Sequence, residues 1–128
     1  MAARNRLTAP SRPRARGRRD VRAGASVTFY TTEAVLIELL TFFSNRGTHL
    51  RHQVALFVED LRASSPTILI PQTPALFEAA FDLYRRRADK TYSMVDCIGM
   101  VVCRQQSITD VLTADQDFAQ EGLVVLLA

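Results

Sequence analysis

Between Lys90 and Arg104 the chain reads TYSMVDCIGMVVC, and Asp96 is the only charge in that run. A helix drawn through Met94, Val95, Cys97, Ile98, Met100, Val101, Val102 and Cys103 would be apolar on nearly every side, so it has to be covered by other layers of the domain. A carboxylate inside such a helix needs a partner, because an unpaired buried charge is costly. Glu38 stands in the same way in EAVLIELLTFF, as the only charge between Glu33 and Arg46, and Asp115 follows the short apolar run Ile108 to Leu112. Three separate elements each supply one acid.

The elements between these acids alternate. Ser26 to Tyr30 (SVTFY) has strand composition, and Thr31 and Thr32 offer hydroxyls to cap a helix that begins near Glu33. Leu50 to Leu61 shows a second helical pattern, and Thr67 to Ile70 a second strand closed by Pro71. Thr73 and Pro74 start a further helix, in which Phe77, Phe81 and Tyr84 recur at i, i+4 and i+7. Ser93 with Asp96 has the S-x-x-D spacing of a capping box. Ile108 to Leu112 and Leu123 to Leu127 complete the strands. Strands alternating with helices predict an α/β layer fold with a parallel sheet, and ligand groups beyond the carboxyl ends of its strands, where Thr31, Thr113 and Asp115 fall.

Charge divides the chain in two. Residues 1 to 22 hold eight arginines and one acid, Asp20, whereas the rest carries eight basic and twelve acidic groups, about −4. The formal +3 therefore belongs to the head. Residues 1 to 24, with no apolar period, are predicted to be disordered, and residues 25 to 128 to form one domain. Eight close positive charges would also attract phosphates as a nucleic-acid or membrane-surface tether, the alternative being a solvated tail. Cys97 and Cys103 fall on different faces of one predicted helix, too far apart for a bridge, and read as small buried apolar residues in a reducing compartment. No run reaches the roughly 20 apolar residues of a membrane span, so a cytoplasmic protein without a membrane partner is expected.

A cluster of carboxylates suits magnesium, a hard cation held by oxygen ligands at about 2.0 to 2.1 Å that keeps several waters. Without a cation, each pair at 4 Å repels by about 4 kcal/mol at an effective dielectric near 20. Each acid also has a local explanation: Asp96 as a capping-box member, Glu38 in an ion pair, Asp115 as the cap of a turn. His49 and His52 have no Cys or His partner at metal spacing, and the absence of GxGxxG and GxxxxGK[ST] argues against a nucleotide loop.

At this point the residues resemble the PIN-domain endoribonucleases, especially the VapC-like toxins of bacterial toxin–antitoxin pairs. YTTEAVLIELL is similar to the family's T-T-x-x-V-L-x-E, ADKTYSMVDCIGMVV to D-K-x-x-S-x-x-D-C, VLTADQDF to L-T-x-D-x-x-F, and GLVVLL to its closing strand. The resemblance implies a Mg²⁺ or Mn²⁺ site from Glu38, Asp96 and Asp115, supported by Ser93 and Thr113. It also implies single-stranded RNA cleavage, a cognate antitoxin and a homodimer. The family opens with an apolar strand ending in Asp, and here the arginine head stands instead. Asp20 in RGRRDVRAG is no substitute, and the change of composition near Gly24 suggests an altered reading frame or a misplaced start. The expectation is a PIN-like fold lacking its first strand, acting as a metal-dependent ribonuclease or, alternatively, as an inactive remnant that serves in protein binding or dimerisation.

Overall fold

The structure is a computed structural model that describes residues 2–6, 27–63 and 65–127, with residues 2–6 described by their backbone alone. Nine of the elements lie between Val27 and Val125: β2 (Val27–Thr32), α1 (Glu33–Phe42), α2 (Thr48–Ala63), β3 (Ile68–Ile70), α3 (Pro74–Arg86), α4 (Met94–Gln105), β4 (Asp110–Leu112), α5 (Asp117–Gln120) and β5 (Val124–Val125). They follow β1 (Ala2–Arg6). The alternation expected from the sequence is present, and the fold is mixed α/β with parallel strand pairs.

Strand order is β3-β2-β1-β4-β5. β2 and β3 pair in parallel, Thr31 opposite Leu69, and so do β4 and β5, Asp110 opposite Val124. Between these pairs lies β1, antiparallel to both, with Ala2 opposite Thr31 on one side and Leu112 on the other. This corrects the prediction of a disordered head at its first residues; residues 7 to 24, Asp20 included, lie outside the described residues. The centre of the sheet is filled by AARNR, whose composition alone would not nominate a strand. A backbone reason suffices: β2 and β4 flank one strand's width, roughly 10 Å across two ladder spacings, and without a strand there both pairs would present open edges.

Helix starts follow the predicted caps. Thr32 Oγ1 accepts from the Val35 N–H at 3.2 Å, Thr73 Oγ1 from the Leu76 N–H at 3.1 Å, and Ser93 Oγ from the Asp96 N–H at 3.0 Å. Such caps each contribute about 1 kcal/mol. The strand expected from Ile108 begins only at Asp110, because Ile108 is tied to the turn that follows α4. Its N–H closes on the Cys103 carbonyl at 2.7 Å, with Ser107 at φ 55°.

The core is built around α4, whose residues Cys97 to Cys103 are all buried. Against them pack Leu76, Ala80 and Leu83 of α3, with Tyr92, Ile108, Val111 and Phe118 from the flanking segments. Both cysteines are free and buried. Burial pushes the Cys103 thiol up to about 11, and burial followed by the charges of Asp96 and Glu121 raises Cys97, so both behave as apolar fillers. The aromatic recurrence at Phe77, Phe81 and Tyr84 is the outer face of α3; the buried stripe has the same period one residue earlier. Among the described residues, no helix is long and apolar enough to cross a membrane.

Candidate metal centre

Asp96 is the third residue of α4, half-buried, and its Oδ2 accepts from the Ser93 N–H at 3.0 Å while Ser93 caps in return. The capping box expected from the spacing is thus formed, and it engages one carboxylate oxygen. Asp115 sits exposed in the turn after β4. Thr113 Oγ1 accepts its N–H at 3.2 Å, and Asp115 Oδ1 accepts from the Asp117 N–H at 2.9 Å. Those bonds curl the chain into α5, and the wholly buried Phe118 anchors that short helix to the core.

The turn brings in a residue that the sequence reading missed. Asp117 opens α5, and carboxylate oxygens of Asp96, Asp115 and Asp117 lie within 4.8 Å of one another. The signal that could have found it is the D-x-D spacing in TADQDF, where a tight turn places both acids on one side. Asp117 carries the electrostatic mark of the cluster. Desolvation raises its carboxyl above the ordinary value, the charges of Asp115 and Asp96 add to the rise, and Lys90 opposes it. Glu38 is not part of this group. It is exposed on α1, a helix that packs against α4.

These residues fit a divalent cation by their chemistry. All three donors are carboxylate oxygens, the set preferred by hard Mg²⁺ or Mn²⁺ over softer metals. Octahedral ligands at about 2.1 Å stand roughly 3.0 to 4.2 Å apart, so small side-chain rotations would close the group around an ion. Desolvation is the first cause of the raised Asp117 pKa, and the charges of Asp115 and Asp96 add a repulsion that a cation would remove.

Beside this centre Glu121 makes a part-buried ion pair. Its carboxylate, 6% exposed, accepts from Arg87 Nε at 2.8 Å and from the Tyr92 hydroxyl at 3.0 Å, with Arg104 at 3.8 Å. The hydrogen bond from Arg87 is the first cause holding Glu121 below the ordinary carboxylate range, and burial with the Glu121 contact pushes Tyr92 up to about 12. Since Tyr92 precedes Ser93, this pair fixes the approach to the capping box. Gly122, at φ 83°, makes the left-handed turn that carries the chain from Glu121 into β5.

A PIN-domain family model matches residues 8–122. The crystal structure of Mycobacterium tuberculosis VapC20, described as a sarcin–ricin loop cleaving toxin, is similar to this chain with a TM-score of 0.65 and 29% identity, over 76% of this chain and 72% of its own. No curated protein matches. With a family match over most of its length and carboxylates gathered at the start of α4 and in the β4–α5 turn, the chain belongs to the PIN-domain family and is VapC-like.

Proposed function

We propose that the protein is a metal-dependent endoribonuclease of the VapC toxin type, cleaving phosphodiesters of single-stranded RNA. The observation that carries this reading is the convergence of Asp96 on α4, Asp115 in the turn after β4 and Asp117 at the start of α5, whose carboxylate oxygens lie within 4.8 Å of one another. Asp96, Asp115 and Asp117 would hold Mg²⁺ or Mn²⁺ directly. Glu38, on a helix that packs against α4, would add its negative charge to the surroundings of the site. When bound, the ion neutralises phosphate charge and activates water for hydrolysis. Ser93 and Thr113 would act as positioning residues: their hydroxyls accept the backbone N–H groups of Asp96 and Asp115, which helps to set the direction in which each carboxylate points. The exposed apolar residues Ile37, Leu40, Phe42, Leu56 and Phe57 of α1 and α2 supply surface for an antitoxin or a second copy of the chain.

The test is cleavage of a single-stranded RNA with Mg²⁺ or Mn²⁺ by the purified chain. Activity should fall at least 100-fold in Asp96→Asn, which keeps a capping oxygen but removes the charge, and by less in Glu38→Ala. A chain inert with either ion would refute the enzyme. That result would favour the second reading, an inactive PIN module acting through protein contacts, which has its own support: Glu38 stands apart from the acid group, and β1 offers no acid in AARNR.

A further inference from the structure

The outer face of α3 and the segment leading to Ser93 enclose a cleft of about 600 Å³, lined among others by Phe81, Tyr84, Arg85, Lys90 and Tyr92. No residue of the metal centre lines it, yet it adjoins that centre: Tyr92 is next to Ser93, and Lys90 is close enough to Asp117 to oppose the rise of its pKa. Its inner wall is rigid, because Glu121 holds both Arg87 and the Tyr92 hydroxyl. Its outer wall is made of rings and cations. Phe81 is 39% and Tyr84 48% exposed, Phe81 stacks on Phe77 at 6.0 Å and 24°, and the Arg85 guanidinium lies 5.1 Å from the Phe81 ring centre.

We propose that this cleft is a nucleobase subsite for single-stranded nucleic acid, in which Phe81 and Tyr84 stack bases while Arg85 and Lys90 hold the adjoining phosphates. The inference rests on the ribonuclease reading only for its direction, since a strand held here would lead on to Asp96, Asp115 and Asp117. Flat rings beside cations are the combination that binds single strands with little regard to sequence. An all-apolar partner would instead leave two cations buried at the contact. Both cations are available. Arg85 approaches Asp82 only to 3.7 Å and is 64% exposed, while Arg86 holds the same carboxylate at 2.8 Å. Lys90, itself 34% exposed, meets the carboxylate of Asp89 at 3.8 Å, and the Asp89 side chain is 74% exposed. Such exposed pairs exchange readily for a phosphate.

The experiment compares binding of the full chain to a labelled oligoadenylate of about ten nucleotides and to an abasic strand with the same phosphates, in EDTA. Charge attraction, including that of the arginine head, is common to both strands, so their difference reports stacking alone. The wild type should prefer the base-bearing strand by roughly tenfold, the expectation for one or two stacked bases. Phe81→Leu with Tyr84→Leu should abolish the preference and leave abasic affinity unchanged, while Phe81→Trp should keep it. Lys90→Ala should weaken both strands alike. Equal affinity of the wild type for the two strands, or a preference that survives the double leucine variant, overturns the subsite. So does a dimer that dissociates in that variant with the preference intact, which would identify a second copy as the occupant. A base preference in a chain that cleaves no RNA would support the subsite and remove the nuclease reading alone.

Discussion

The two helical pairs of the molecule are built on opposite principles. In α3 and α4, stripes from both helices are buried, and α4 buries every residue from Cys97 to Cys103. In α1 and α2, the ten residues of the first bury Ala34 and Leu36, and the sixteen of the second bury only Val58, while Ile37, Phe42, Leu56 and Phe57 remain 45% exposed or more. The difference teaches where precision is needed. Asp96 is aimed by a helix that is buried from Cys97 to Cys103, whereas Glu38 rides on a helix whose outer face is bare.

Core truncation should show this contrast most strongly. Leu83→Ala, at a wholly buried position facing α4, should cost about 3 kcal/mol in denaturant unfolding, and Leu56→Ala on α2 should stay within about 0.5 kcal/mol. Equal losses would erase the distinction. A smaller effect, about 2 kcal/mol, is expected for Glu121→Gln, which leaves Arg87 and the Tyr92 hydroxyl with a neutral partner. Because the Glu121 pKa is lowered on folding, its stabilisation is complete above its ordinary carboxylate pKa and disappears as pH falls through the folded value. The wild type should therefore lose stability faster than Glu121→Gln in that acid window, which parallel acid titrations of Tm would check. Smallest is the response of the acid cluster. Asp117 has a raised pKa, so its charge opposes folding at neutral pH, and Asp117→Asn should raise the Tm of the metal-free chain slightly. A lowered Tm would mean that the residue's bond from Gln120 outweighs the repulsion.

Most of the fold could be read from local chemistry. Thr32, Thr73 and Ser93 cap where their spacing said they would, and the acid in the apolar run of α4 pointed to the site. Periodicity located the helix at Phe77, Phe81 and Tyr84 but not its buried side, because Leu76, Ala80 and Leu83 follow the same period one position away. β1 was illegible for another reason. A strand in the middle of a sheet can be recruited by the unpaired backbones on either side, a non-local demand that AARNR does not announce. Asp117 escaped notice because the four-residue helix that it opens was not read from the sequence. Its convergence with Asp96 depends on how the β4–α5 turn meets α4.

The most direct test of the central claim, that Asp96, Asp115 and Asp117 together form a cation site, is calorimetric titration of the full chain with Mn²⁺. One ion per chain should bind, and Asp96→Asn with Asp115→Asn should abolish the heat while circular dichroism stays unchanged. Binding that persists undiminished in that double variant, or no binding by the wild type, would contradict the claim.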